Sequence, residues 1–309
     1  MMPPVRRLLA IVVAALSLPA TALAWGGTYN AAADGTPVDI QVSNLYPVDQ
    51  ALPQAWADYL GSLVHGPELA RLHVQLSPLG QVRRVCGLAA LACYAPPTET
   101  MYVSADDVPG GPTAKSVVAH EYGHHIATNR VNVPWAANAW GTKRWASYEN
   151  VCPRTANGEL RPGNEGNAYM LNPGEGFAES YRWLNEQRQG IADPGWSLVD
   201  QSFAPDATAI SLLEQDVLDP WTHNTVTTLA GSFGGGTIRT FRFATPLDGR
   251  LFLTLKAPPK YGMTLTQRGT AAGAGRTIRY AICGERAFTL KVARNGGALG
   301  AFSVVVSKP

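Results

Sequence analysis

Apolar and polar positions repeat with two different periods in the two parts of the chain. Before residue 222, apolar residues recur every three to four positions, the spacing of an amphipathic helix, in ALPQAWADYLGSLV, TAKSVVAHEYGHHIATN, GEGFAESYRWLNEQRQ and DATAISLLEQDVL. Two shorter runs between them, RLHVQLS and ETMYVSA, alternate as strands do. The first part is therefore predicted to combine helices and strands.

The second part consists of short alternating runs: TIRTFRFAT, GRLFLTLKA, YGMTLTQ, RTIRYAIC, AFTLKVAR and AFSVVVS. Gly, Pro and Asn separate them at intervals of about ten residues, which is typical of an antiparallel sandwich or barrel. The glycine cluster AGSFGGGT is predicted to be a loop near the boundary. We therefore predict an α+β domain over residues 25–221 and an antiparallel β-sandwich over residues 222–309.

The first 24 residues have the pattern of a cleaved secretion signal. Arg6 and Arg7 form a basic region, an apolar run extends from Leu8 to Leu18, and the small-x-small site Ala22-Leu23-Ala24 follows. An apolar run of about eleven residues is shorter than the roughly 20 that a membrane span needs. The mature chain is expected to be secreted or periplasmic, with no membrane span after cleavage.

Export makes disulfide bonds possible for the cysteines. Four cysteines allow three pairings, and the sequence does not select among them. The simplest hypothesis joins Cys86 to Cys93, which lie close together in CGLAALACY, and leaves Cys152 to pair with Cys283.

The formal charges divide at the same place as the patterns. Residues 25–221 contain 11 Lys or Arg against 21 Asp or Glu, whereas residues 222–309 contain 12 against 2. The basic part is either a cap that docks on the acidic part through opposite charge or a module that attaches to an anionic cell-surface polymer. Nucleic acid is not an expected partner, because the basic residues are spread over many strands without a binding motif.

Three of the six histidines fall within six residues of one predicted helix. His120, Glu121 and His124 form the motif H-E-x-x-H. Residues four apart project from one face of a helix, so the two histidines can bind one metal ion, and Glu121 lies where it can act on a metal-bound water. His125 points roughly 100° away from His124. We expect it to be packed or hydrogen-bonded rather than a ligand.

A protein zinc site needs a third ligand, and two known continuations of the motif fail here. The metzincin pattern H-E-x-x-H-x-x-G-x-x-H has Ala127 in place of its glycine and Arg130 in place of its last histidine. The aspzincin pattern G-T-x-x-D has Trp145 in place of its aspartate. The remaining pattern places a glutamate on a second helix further along the chain.

The segment NPGEGFAESYRWL provides two glutamates, four residues apart on one predicted helix face. One carboxylate can bind the metal while the other accepts a hydrogen bond from a ligand histidine and so fixes its tautomer. Glu175 is the preferred ligand and Glu179 the preferred hydrogen-bond partner; the reverse assignment is the alternative. Two histidines and a glutamate are a common catalytic zinc set that leaves a fourth position for water.

Together, H-E-Y-G-H and E-G-F-A-E-S-Y-R about fifty residues later resemble the gluzincin metallopeptidases. Within them the second motif is most similar to the lethal-factor-type peptidases, whose second helix reads E-x-F-A-E. The resemblance covers about residues 94 to 185, under a third of the chain. It implies a zincin-like fold for the catalytic domain.

The resemblance also implies a role for each motif residue. Glu121 would be the general base, and Glu179 would hold a ligand histidine. The group tends to have an oxyanion-stabilising tyrosine a few residues before the ligand glutamate, where this chain has Tyr169. The ligands of a Zn²⁺ ion would be His120, His124 and Glu175.

These expectations describe a secreted zinc-dependent endopeptidase that hydrolyses peptide bonds through a zinc-activated water. Its substrate would be a peptide or protein, which an edge strand at ETMYVSA could hold in extended form. The alternative is a secreted binding or adhesion protein that has a peptidase-like scaffold without catalysis.

Overall fold

The computed structural model describes residues 24–192 and 194–309. The predicted signal peptide lies outside these ranges except for Ala24, which is the first residue of a strand. Across the described residues, no helix has both the length and the apolar character needed to cross a membrane.

Within residues 24–192 and 194–221, the structure has five strands and eight α-helices. The strands are β1 (Ala24–Asn30), β2 (Pro37–Ser43), β3 (His73–Leu76), β4 (Ala92–Ala95) and β5 (Thr100–Val103). The helices are α1 (Ala51–Ser62), α2 (Leu79–Cys86), α3 (Ala114–Thr128), α4 (Ala137–Trp140), α5 (Lys143–Tyr148), α6 (Val151–Ala156), α7 (Pro173–Arg188) and α8 (Ala207–Leu218).

The five strands form one mixed sheet with the order β1-β2-β3-β5-β4. Strands β2, β3 and β5 are parallel, and the edge strands β1 and β4 run antiparallel to their neighbours. Alternate residues of β2 are apolar and fully buried, and they share one core with side chains of α1, α3 and α7. Burying one such side chain contributes about 1.5–3 kcal/mol. This core fixes α3 and α7 against each other and against the sheet.

The second part contains eight strands in two antiparallel four-stranded sheets, with orders β10-β9-β12-β7 and β11-β8-β13-β6. Their bounds are β6 (Thr225–Phe233), β7 (Ile238–Ala244), β8 (Gly249–Lys256), β9 (Tyr261–Gln267), β10 (Thr270–Gly275), β11 (Thr277–Ile282), β12 (Ala287–Arg294) and β13 (Gly300–Lys308). Side chains of both sheets, among them Leu253 and Leu290, form a second apolar core. A mixed α/β part followed by antiparallel β-structure agrees with the sequence prediction.

The prediction that AGSFGGGT is a loop is wrong for its first half. Residues Ala230 to Phe233 belong to β6, which pairs with β13. Gly231 is required there because the ring of Phe302 covers it: a Cβ at this position would lie 2.7 Å from Cζ of that ring. The glycine therefore reflects close packing on a strand and not a turn.

Both disulfide bonds of the simplest hypothesis are present, Cys86–Cys93 and Cys152–Cys283. Disulfide bonds are compatible with a secreted or periplasmic protein. The second bond joins α6 to the end of β11 and so ties the two parts together. Beside it, the backbone N–H of Asp248 donates to Oγ of Ser147 at 2.9 Å.

No ion pair within 4 Å crosses between residues 24–221 and 222–309 among the residues that the structure describes. The two parts are in contact through other interactions: the disulfide bond, the hydrogen bond to Ser147 and the packing of Gly284 on Pro153. Direct salt bridges therefore do not explain the opposite charges of the two parts.

Candidate metal centre

Two helices that cross closely bring the polar motifs together. Helix α3 begins after Thr113, whose hydroxyl accepts a hydrogen bond from the N–H of Ser116 at 3.1 Å. Helix α7 begins after Asn172, whose side chain accepts from the N–H of Gly174 at 3.1 Å, and Pro173 occupies its first position. These caps set where each helix starts and therefore which face each motif presents.

Gly123, the last residue before the second histidine of the H-E-x-x-H motif, permits the close crossing. A Cβ on this residue would lie 2.8 Å from Cα of Ala178 on α7, nearer than real Cβ contacts allow. The missing side chain thus lets the backbones of α3 and α7 approach each other between the two pairs of functional residues.

His120, His124 and Glu175 form a cluster that can hold a metal ion. Each offers one ligand atom, and the three atoms lie within 4.8 Å of one another. Oε2 of Glu175 is 3.1 Å from Nε2 of His120 and 3.3 Å from Nε2 of His124. The ligand atoms converge from two helices, as the sequence prediction requires.

The two glutamates of the E-G-F-A-E motif in α7, Glu175 and Glu179, lie on different sides of His120. Glu179 lies on the other side of His120, with Oε2 3.1 Å from Nδ1 of the ring, while Glu175 faces Nε2. A carboxylate at Nδ1 favours the tautomer that keeps a proton there and leaves Nε2 free as a ligand. Glu175 therefore lies on the Nε2 side of His120 and Glu179 on the Nδ1 side, and the assignment of their roles stays a prediction.

Arg182 holds Glu179 in turn. Its Nε and Nη2 donate to the two oxygens of Glu179 at 3.0 and 2.7 Å, and its Nη1 donates to Glu186. Arg182 also donates to the backbone oxygens of Pro194 and Gly195. Planar, two-point contacts of this kind fix orientation as well as charge. Arg182 was not predicted from the sequence, where only its position one helical turn after Glu179 points to this contact.

The buried charges around the cluster favour a cation. Glu121, Glu175 and Glu179 are buried at the cluster, and the buried Arg182 pairs with Glu179 and with the buried Glu186. Buried charges that lack counter-charges are costly. A divalent cation among two imidazole nitrogens and one carboxylate would supply the missing positive charge. The donor set therefore fits a metal ion.

The pKa values of the two histidines and of Glu175 also show that the cluster stabilises positive charge. Burial disfavours the imidazolium form of His120, but hydrogen bonds to Glu175 and Glu179 outweigh it and raise its pKa to about 10. The pKa of His124 is raised as well, because Glu175 outweighs burial there. Burial also opposes the ionised form of Glu175, yet the two imidazoles hold the pKa of that carboxyl well below its usual range.

Glu121 lies next to the cluster without belonging to it. Its side chain is buried, and burial raises its pKa above the usual value of a glutamate, although both imidazoles oppose this. The backbone of Tyr94 in β4 hydrogen-bonds to the carboxyl group. Glu121 is thus positioned between the cluster and the edge strand, with its pKa held above the usual value by burial.

A cleft of about 1040 Å³ opens over these residues. Its floor includes His120, Glu121, His124 and Glu175, and one wall is the disulfide-closed segment 86–94. The predicted strand ETMYVSA contributes β5, but β5 lies between β3 and β4 and is not an edge. The edge strand at the cleft is β4. The expectation that ETMYVSA provides the edge strand is therefore wrong.

Tyr169 lies in the same cleft as the cluster. Burial and the neighbouring carboxylate of Glu175, with which it interacts by a side-chain hydrogen bond, raise the pKa of its hydroxyl far above the usual value. The hydroxyl therefore stays protonated and is available as a donor. Tyr169 therefore lies near Glu175, and its oxyanion-stabilising role stays a prediction.

Glu165 is a further cleft residue that sequence reasoning missed. Burial and the nearby Glu175 raise its pKa, and Oε1 accepts a hydrogen bond from Asn172 at 2.9 Å. It belongs to a loop rich in Gly and Asn between the two motifs. A single glutamate in such a loop carries no periodicity or spacing that would single it out.

The histidine that directly follows the motif is packed in the interior of the protein. His125 is fully buried, with Nδ1 2.9 Å from the hydroxyl of Tyr94 and Nε2 2.9 Å from the backbone oxygen of Glu68. The prediction that His125 is packed or hydrogen-bonded is confirmed.

The chain was compared with known proteins by sequence and by structure. No family model matches it, and no curated protein matches it. Among solved structures, it is similar to Aeromonas hydrophila PliG, a periplasmic lysozyme inhibitor of g-type lysozyme, with 14% identity over 28% of this chain and 88% of that chain and a TM-score of 0.25. A likeness this weak carries no argument about fold or function, so the functional conclusion depends on the site itself.

Proposed function

We propose that the chain is a secreted or periplasmic zinc-dependent endopeptidase of the gluzincin type. The observation that carries the proposal is the convergence of His120, His124 and Glu175 beside Glu121 at the floor of an open cleft. Two imidazole nitrogens and one carboxylate oxygen are a donor set that catalytic zinc sites use, with the fourth position left for water or substrate. Residues 25–221 would be the catalytic domain and residues 222–309 an appended β-domain.

A bound zinc ion would polarise the scissile carbonyl and lower the pKa of a water molecule at its open position. Proton transfer and oxyanion stabilisation would be carried out by side chains of the protein. Glu121 would accept a proton from that water and deliver it to the leaving amine. Tyr169 would donate a hydrogen bond to the oxyanion as it develops. Glu179 would keep the proton on Nδ1 of His120 throughout.

The position of β4 supports a peptide as the substrate. Strand β4 is paired with β5 on one side only, and its residues 92–94 line the cleft next to Glu121. An extended peptide can add to such an edge through main-chain hydrogen bonds, independently of most of its side chains. Such pairing would bring a backbone carbonyl of the peptide close to His120, His124 and Glu175.

The proposal is tested by separating metal binding from turnover. Zinc content and hydrolysis of a quenched fluorescent peptide library would be measured for the mature protein and for Glu121→Gln. We expect one zinc per molecule in both proteins, and a loss of at least about 10³-fold in turnover for the variant because its proton acceptor is gone. Equal turnover in both proteins would remove Glu121 as the proton acceptor, and a zinc-loaded protein without turnover would favour the binding-protein alternative.

A further inference from the structure

The charges of the C-terminal part are unbalanced at the level of individual side chains. Its two acidic residues, Asp248 and Glu285, are engaged in ion pairs with Arg286 and Arg268. Within the ranges that the structure describes, six cations of this part have no hydrogen bond or ion pair from the side chain: Arg242, Arg250, Lys256, Lys260, Arg279 and Lys291. Neither the acidic residues of the module nor those of the first part neutralise them.

Three of these cations share one outer face of the sandwich. Buried and exposed residues alternate along β8, so Arg250, Phe252 and Lys256 all point away from the core. In the neighbouring strand β11, Arg279 lies directly opposite Phe252, and Ala281 lies opposite Arg250. Arg250 and Arg279 therefore occupy diagonal positions, with Cα atoms about 7–8 Å apart, and both residues neighbour the exposed Phe252.

Hydroxyl side chains occupy several other positions of the same face. Thr277, Thr254 and Val305 lie in one row across β11, β8 and β13, and Ser307 continues the row of Phe252. The outward residues of β6 in the same rows are Val226 and Thr228. We call the outward residues of β11, β8, β13 and β6 the basic sheet face; it contains no carboxylate.

We propose that the basic sheet face binds an acidic polysaccharide, a polymer whose sugar units bear carboxylate groups. Guanidinium groups match carboxylates in shape and form two-point hydrogen bonds with them. Threonine and serine hydroxyls can both donate to and accept from sugar hydroxyls. The exposed ring of Phe252 offers a flat apolar surface between the cations.

The other anionic macromolecules fit this face less well. Single-stranded nucleic acid is usually held by several aromatic rings that stack on successive bases, and here Phe252 is the one aromatic side chain in the rows described above. A membrane surface is typically bound by a helix or loop that inserts several large apolar side chains. The rows of threonine and serine on this face contain no such inserting helix or loop.

The test compares two double variants that remove the same charge from opposite faces. Arg250→Gln/Arg279→Gln changes the basic sheet face, and Arg242→Gln/Lys291→Gln changes the outer face of the other sheet, where these two cations also occupy diagonal positions. Binding of the full chain to alginate would be measured by calorimetry at about 150 mM salt, with dextran as the neutral polymer. All four positions are exposed, so thermal unfolding of each variant should match the parent.

We expect the parent to bind alginate and not dextran, with affinity that falls as salt rises. The Arg250/Arg279 variant should lose roughly tenfold in affinity and the Arg242/Lys291 variant less than about twofold. Equal losses in both variants would show attraction by net charge alone and would overturn the proposal. The absence of alginate binding would also overturn the proposal. The same holds if the parent binds anionic vesicles or single-stranded DNA more tightly than alginate and the Arg250/Arg279 variant loses that binding. The measurement uses no turnover, so it can fail independently of the proposed peptidase function.

Discussion

Gly123 of α3 packs so closely on Ala178 of α7 that a Cβ at position 123 would lie 2.8 Å from Cα of Ala178. The two residues lie between the histidines of one helix and the glutamates of the other. The distance between the helix backbones at this point therefore sets how closely the candidate ligand atoms approach each other.

Gly123→Ala should push the two helices apart. Overpacking a buried contact costs about 1–3 kcal/mol, only partly offset by the gain of about 1 kcal/mol in helix propensity. We expect a lower denaturation midpoint and weaker zinc binding. The matched control is Gly80→Ala in α2, where a Cβ would meet no atom within 4 Å and the change should be neutral or stabilising. A Gly123→Ala protein with the parent's stability and zinc affinity would refute the packing argument.

Arg182→Gln should leave Glu179 buried without its counter-charge. Removing one partner of a buried ion pair costs about 3–5 kcal/mol, and loss of the group that orients a metal ligand typically lowers metal affinity by roughly 10–100-fold. Arg188→Gln is the control on the same helix, because its ion pair with Glu214 is exposed and should contribute about 0–1 kcal/mol. Zinc affinity would be measured by competition with a chelator. If both variants bound zinc alike, Arg182 would have no part in positioning His120.

Tyr169→Phe should slow turnover and leave zinc bound. Removing one donor to a developing oxyanion costs roughly 10²–10³ in kcat, whereas Phe preserves the packing of the ring. Tyr94→Phe is the comparison, because that hydroxyl lines the same cleft but binds Nδ1 of His125. The kcat of the parent and of both variants would be measured by steady-state kinetics on one peptide. An unchanged kcat for Tyr169→Phe would remove Tyr169 from the mechanism.

Lys143 should make stability depend on pH in the alkaline range. Burial lowers its pKa to about 8, although Asp248 and Asp216 oppose this, and its Nζ donates to the backbone oxygen of Val133 at 2.7 Å. Between pH 8 and about 10.5 the unfolded chain binds more protons than the folded chain at this group, so its contribution to stability rises with pH. Below pH 8 the cost of burying the charge is fully present.

The comparison with Lys143→Met isolates this contribution, because other titrating groups cancel. The stability of the parent relative to the variant should increase by about 2 kcal/mol between pH 7 and 9.5. Urea denaturation at the two pH values measures it. A difference that is constant with pH would mean that Lys143 keeps its proton across this range.

The parts of the site that were predictable have helical spacing. His120 and His124, like Glu175 and Glu179, are four residues apart on amphipathic segments, and local geometry is enough to place each pair on one face. Which glutamate faces Nε2 of His120 depends on how α7 crosses α3. That crossing depends on Gly123 and Ala178, a contact between residues far apart in the sequence.

Several strands were harder to predict for physical reasons. Strand β4 has only four residues, one of which is the disulfide-bonded Cys93, so it shows too little alternation to be recognised. Strand β6 contains Gly231, which suggests a turn in isolation but accommodates the ring of Phe302. In both cases tertiary packing overrides the local pattern.

The central claim is that Glu175, with His120 and His124, holds a zinc ion while Glu179 only orients a ligand. Its most direct test is zinc per molecule in the mature protein, in Glu175→Ala and in Glu179→Ala, measured side by side after dialysis. We predict one zinc in the parent, little in Glu175→Ala, and zinc retained with weaker affinity in Glu179→Ala. Full zinc in Glu175→Ala, or none in the parent, would contradict the account.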